Sequence, residues 1–280
     1  MPYPIITAIG VDGDHQCVPG LNGAQFDFHP YEYGSWDSGV SVLAAKKYMG
    51  TNMSNGAAVV SDRSANGICV VRHDNLGYFL GTSSDILAGA CEVIPSSNDT
   101  STNDLLGLAR LLEEIVGHTH TSTFQDLSGL YPSPFKNYNR SSLVSNNDLL
   151  TLVDGSLSQQ SHPIWPFIRP DREVDVLIVN DNSADAASNH PNGSEIYNTY
   201  IQAKVDGLSK MPLIPPVSTF LAQGLDERAT FSGCNETDTV FIVYLPNKDY
   251  SYNSGQSTFR FQYSESETDA ITTNGNQTAI

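Results

Sequence analysis

The stretch Leu149-Leu-Thr-Leu-Val153, followed at once by Asp154-Gly155-Ser156, decides how the rest of the chain is read. Leucine, threonine and valine with no charge among them predict a short strand, and a run apolar nearly throughout suits a sheet covered on both faces, as in α/β proteins. In open α/β sheets, reactive groups collect outside the carboxyl ends of strands, so Asp154 stands where a catalytic acid or base is placed. Gly155 and Ser156 are small enough to let a substrate or a partner backbone come close. An aspartate at this position can equally cap a turn, and the local pattern leaves both readings open.

Outward from this strand, three further runs of the same kind occur at Ile5 to Ile9, Val174 to Val179 and Val240 to Leu245. Helices are expected between them. Leu105 to Val116 has Asp104 as its cap and one stripe formed by Leu105, Leu108, Leu112 and Ile115 or Val116; Ser194 to Val205 is a second helix, and Asp85 to Ala90, capped by Ser83 or Ser84, a shorter third. Strands alternating with helices predict an α/β fold with a layered, mainly parallel sheet and flanking helices, in a single domain over residues 1–280. The Gly/Ser/Asn-rich stretches at 50–67 and 117–147 read as surface excursions. Val179-Asn180-Asp181 repeats the strand-then-acid pattern, and there the polar pair reads as turn or packing residues.

The formal net charge is -17, from 31 acidic against 14 basic side chains. Such a field repels phosphate backbones and anionic bilayers over a Debye length of roughly 10 Å, which argues against nucleic acid as a partner. Asn-x-Ser/Thr acceptors stand at Asn52, Asn98, Asn139, Asn192, Asn235 and Asn276, each without proline in the middle position. Cys17, Cys69, Cys91 and Cys234 are too widely spaced for a Cys-x-x-Cys metal or redox centre and read as structural, either buried thiols or two disulfides. Sequons with an even cysteine count favour a secretory compartment. The N-terminus has no basic segment before its short apolar run, so it does not read as a signal peptide, and no stretch approaches the ~20 apolar residues of a membrane span.

A serine hydrolase places its nucleophile on a tight strand-to-helix turn, commonly Gly-x-Ser-x-Gly. No serine here has glycine at both flanking positions; the nearest approaches, around Ser83 and Ser209, read better as a helix cap and a helix-terminal loop. His118 and His120 lie two apart in a polar loop with no further ligand near, and Asp12-Gly13-Asp14 lacks the remaining ligands of a calcium loop. Neither a metal nor an organic cofactor is expected.

Several segments, in order, resemble fungal phospholipase B (the lysophospholipase family) and, more distantly, the cytosolic phospholipases of animals. They are Phe26-Asp-Phe-His-Pro-Tyr-Glu-Tyr-Gly-Ser-Trp-Asp37, Tyr48-Met-Gly-Thr-Asn52, Cys69 through Ser84, Leu152-Val-Asp-Gly-Ser156, Arg169 through Ile178 with Asp181-Asn-Ser-Ala-Asp185, and Thr230-Phe-Ser-Gly-Cys234 with Ile242 through Asn247. The resemblance implies a patatin-like, cytosolic-phospholipase-like catalytic domain acting on phospholipids and lysophospholipids at a lipid interface, from a secreted or cell-surface parent protein. It also implies a Ser/Asp dyad without histidine, in which Asp154 is the general base and glycine-rich backbone N–H groups stabilise the oxyanion. Ser156 stands where the fungal pattern has a second glycine. The family's Gly-Leu-Ser-Gly-Gly nucleophile motif is expected upstream of the part that Met1 begins, so this chain alone is expected to be inactive and its uncovered sheet edge prone to aggregate. The competing expectation is a catalytically inactive lipid-binding or structural glycoprotein on the same fold.

Overall fold

The computed structural model describes residues 3–11, 19, 21, 23–59, 76–85, 128–257, 260 and 262–278. The chain divides into two compact units, Met1–Ser158 and Gln159–Ile280. The expected helix over Leu105 to Val116 lies outside the described residues, as do Cys17, Cys69, Cys91, His118, His120, Asn98 and the Asp12-Gly13-Asp14 turn.

The first unit is built on strands β1 (Ile6–Gly10), β2 (Gln25–Phe28), β3 (Glu32–Ser35), β4 (Val42–Ala45), a small hairpin β5 (Met53–Ser54) and β6 (Ala57–Ala58), helix α1 (Leu76–Ser83), and strands β7 (Gly129–Pro132) and β8 (Leu149–Asp154). Six of the strands form one sheet in the order β4-β3-β2-β1-β8-β7. Every pairing in it is antiparallel, which corrects the expectation of a mainly parallel sheet. The reason is visible in β8. Leu150 and Leu152 point into an aromatic core with Phe26, Phe28, Tyr33, Phe79, Tyr131 and Phe135, whereas Val153 joins Ile9 and Val11 in a separate cluster with Leu157 packed against it. Both faces of the strand are therefore covered. An apolar run reports that coverage and carries no information about strand direction.

Helix α1 lies on the aromatic face. Phe79 sits 5.3 Å from the Phe28 ring and stacks on Tyr131 at 5.8 Å; Thr82 Oγ1 and the Tyr131 hydroxyl share a hydrogen bond of 2.7 Å. A helix of eight residues is marginal alone, and these contacts hold it. Ser83 and Ser84 therefore belong to the end of α1 rather than to the start of a following helix, with the Ser84 hydroxyl donating to the Leu80 carbonyl. Of the expected helix Asp85 to Ala90, only Asp85 is among the described residues.

The second unit contains β9 (Val176–Asp181), helices α2 (Ser194–Val205) and α3 (Val217–Ala222), strands β10 (Thr230–Ser232) and β11 (Phe241–Pro246), and helix α4 (Glu265–Thr278). Its sheet has the order β10-β11-β9, with β10 antiparallel and β9 parallel to β11. Parallel strands need a long crossover, and α2 and α3 lie within it. The strands expected at Val174 to Val179 and Val240 to Leu245 and the helix at Ser194 to Val205 are all present. Ile164, Ile168, Val179, Ile196, Tyr200, Phe220, Ile242 and Tyr244 make the core of this unit.

Candidate active site

Asp154 is the last residue of β8 and lies opposite Ala8 of β1. Its Oδ1 accepts a hydrogen bond of 2.8 Å from the Ser156 backbone N–H, two residues on. Burial raises the pKa of this carboxyl above the usual range, and the hydrogen bonds from the Ser156 backbone and side chain only partly oppose the rise. A carboxylate with a raised pKa is a stronger base than an ordinary aspartate. Among the described residues, Ser156 is the one donor to it, so the group keeps free acceptor capacity.

The turn after Asp154 is packed closely on β1. A Cβ at Gly155 would meet Thr7 Oγ1 at 3.3 Å and the Thr7 carbonyl oxygen at 3.5 Å, and that same carbonyl accepts the Ser83 hydroxyl at 2.6 Å. Thr7 thus joins the turn that carries Asp154 to the end of α1. Ser83 donates its hydroxyl proton to a backbone carbonyl and stands at the end of α1, not at the start of a following helix as its reading as a cap has it. Ser209 is exposed in the turn that follows α2, two residues beyond Gly207 with φ 67°.

A second polar constellation belongs to the other unit, at the carboxyl ends of the parallel strands. Asp181, wholly buried, receives His162 Nε2 at 3.0 Å, the Tyr244 hydroxyl at 2.6 Å and the Ser183 backbone N–H at 2.8 Å. Burial pushes its pKa up, but the hydrogen bond and charge of His162, with Tyr244 and Ser183, outweigh it, and the net shift is downward. Burial and the neighbouring Asp181 push the Tyr244 hydroxyl well above its ordinary range. Glu195, in the first turn of α2, accepts the Ser161 backbone N–H at 2.6 Å and is raised to about 6, chiefly by burial, with the Asp185 charge adding to the rise. Asp181 thus ties β9 to β11 through Tyr244, and Glu195 ties the first turn of α2 to Ser161. Asp181 is buried and hydrogen-bonded where the sequence reading has a turn or packing residue. His162 and Tyr244 were not legible as its neighbours, because the contacts span distances in sequence that no local pattern encodes.

Of the glycosylation acceptors, Asn52, Asn139, Asn235 and Asn276 are exposed, and Asn192 is half-buried with its side-chain oxygen accepting the Ser194 N–H. Cys234 is an exposed free thiol. Among the described residues no group of three or more His, Cys, Asp or Glu side chains could hold a metal ion, and no helix is long and apolar enough to cross a membrane.

The mixed α/β fold is similar to that of human GIVD cytosolic phospholipase A2, on which it superposes with a TM-score of 0.59, over 89% of this chain and 33% of that one, at 15% identity. The sequence model of the lysophospholipase catalytic domain matches residues 1–280, and the chain belongs to that family. Lysophospholipase 2 of Aspergillus fumigatus is 34% identical over 98% of this chain and 46% of its own length. Lysophospholipase 3 of Saccharomyces cerevisiae is 36% identical over 98% of this chain and 40% of its own length. The chain thus spans less than half the length of these relatives. The family read from the ordered segments of the sequence is the family that these similarities show.

Proposed function

We propose that Asp154 is the general base of a Ser/Asp dyad through which the protein carrying this chain hydrolyses the fatty-acyl esters of phospholipids and lysophospholipids. The serine partner is a residue that the sequence pattern of these 280 residues does not identify. The observation that carries this reading is a half-buried carboxylate with a raised pKa at the end of a strand, within a chain matched over its whole length by the lysophospholipase family. In the reaction the carboxylate accepts the serine proton as the oxygen attacks the acyl carbon, and the protonated carboxyl returns that proton to the leaving glycerol oxygen. No metal or organic cofactor takes part. The parent protein is read as a secreted or cell-surface glycoprotein with glycans on exposed acceptors such as Asn52 and Asn235, which a glycosidase-induced mobility shift tests.

The test is fatty-acid release from lysophosphatidylcholine by the native protein and its Asp154→Asn variant. Asparagine keeps the Ser156 hydrogen bond but cannot take a proton, so kcat should fall by about 10²–10⁴ with KM little changed. Wild-type turnover in the Asp154→Asn variant would exclude Asp154 as the base.

A further inference from the structure

The end of the first unit's sheet carries a cavity of about 500 Å³ lined by Pro30, Tyr31, Ala45, Lys46, Lys47, Met49 and Phe79. Pro30 and Tyr31 form the tip of the β2–β3 hairpin, and the Lys46 backbone N–H donates to the Tyr31 carbonyl at 2.8 Å, which fixes the tip against the end of β4. Met49 and Phe79 are buried and supply an apolar floor. Lys46 Nζ stands 5.4 Å above the centre of the Phe79 ring. In a chain of net charge -17, neither Lys46 nor Lys47 has a carboxylate partner among the described residues. Tyr31 is 77% exposed and Tyr3 51%; their ring centres lie 6.4 Å apart with planes tilted by 42°.

The geometry points to a phosphocholine site: Lys46 and Lys47 take the phosphate, and the open Tyr31 and Tyr3 rings take the quaternary ammonium as two walls of an aromatic cage. A zwitterionic head carries no net charge, so the acidic protein does not repel it as it repels an anionic surface. Met49 and Phe79 lie ready for the apolar part of the amphiphile. The choice of a lipid as biological ligand rests on the phospholipid reading above, whereas the chemistry of the lining stands without it. The register places Asp154, the hairpin tip and the end of β4 at the same end of the sheet. β4 lies four strands from β8, about 19 Å along the sheet at the usual ~4.8 Å spacing. The cavity therefore holds the head of a second lipid of the aggregate, not that of the lipid under cleavage, and turns the Asp154 end of the sheet toward the lipid interface.

Equilibrium dialysis of labelled phosphocholine against the protein tests the site, with inorganic phosphate and choline as separate arms. Saturable binding of phosphocholine, tighter than of either fragment, is expected. It should weaken about tenfold or more in Tyr31→Ala and in the Lys46→Ala/Lys47→Ala double variant; Tyr31 and Lys47 are exposed, Lys46 is half-buried, and none of the three belongs to the core cluster. Asp154→Asn should bind as the wild type does, so that failure here is distinct from failure of the dyad. Absence of binding, equal binding of inorganic phosphate, or indifference to both variants would each overturn the site. Kinetics tests the second-lipid role: the double variant should lose activity on micellar lysophosphatidylcholine and keep it on a short-chain monomeric analogue. Equal loss on both would make the cavity the substrate's own head-group pocket and overturn that role.

Discussion

Gly193 shows how much a single position decides in this chain. It precedes α2 with φ 82°, in the left-handed region that side chains other than glycine rarely adopt, and its carbonyl accepts the first helical N–H, that of Tyr197. A Cβ there would stand 2.6 Å from Cδ1 of Phe220, a buried ring that packs edge-on against Tyr244 at 5.4 Å. Gly193→Ala combines left-handed strain with overpacking and should destabilise the second unit by about 2–4 kcal/mol. A urea midpoint within experimental scatter of wild type would refute this. The place of Asp154 at the end of β8 was legible at this scale, because an acid and two small residues after an apolar run are a local pattern. Its raised pKa was not, because burial depends on how β1 and the turn at Gly155 close over it.

Elements were legible where one face or both meet a core, and illegible where they do not. β1, β8, β9, β11 and α2 each announce themselves by apolar composition or period, yet which strand pairs with which does not, and the antiparallel placement of β8 beside β1 had no signal in the sequence. Helix α4 was missed because it is mostly exposed and has no apolar stripe. Its one mark is a capping box, Ser264-x-x-Glu267: the Glu267 N–H donates to the Ser264 hydroxyl at 3.3 Å, and the Ser264 N–H donates to the Glu267 carboxylate at 2.8 Å. What docks α4 is Asn274, fully buried, whose side-chain oxygen accepts the N–H groups of Tyr250, Ser251 and Tyr252 at 2.7, 2.9 and 3.3 Å and whose amide donates to the Lys248 carbonyl at 2.7 Å. Asn274→Ala leaves three donors and a carbonyl without their partner and should cost about 2–3 kcal/mol. Hydrogen exchange at residues 250–252 should accelerate with it; unchanged protection there would show that α4 is held some other way.

At the scale of the whole molecule, charge and burial set the pH of greatest stability, and they agree. Glu195 is raised from 4.5 to about 6 in the fold, so its contribution is fully present below pH 4.5 and is lost as pH rises through about 6, a change worth about 2 kcal/mol. Asp154 is raised as well and acts in the same direction. Asp181 is lowered, so its contribution is present above 3.8 and is lost as pH falls through its depressed value. Self-repulsion from the net charge of -17 at pH 7 fades toward the sequence pI of about 4.5. Together these place maximal stability between about pH 4 and 5 and predict a decline toward pH 7.5 that added salt partly reverses. Urea unfolding at dilute protein across pH 3 to 8 measures it, and Glu195→Gln separates the contributions: the variant should gain about 2 kcal/mol at pH 7.5 relative to wild type, flatten the slope between pH 4.5 and 6, and leave the acid limb unchanged. A wild-type stability that climbs steadily from pH 4.5 to 7.5 would mean that Glu195 is ionised at little cost in the folded state.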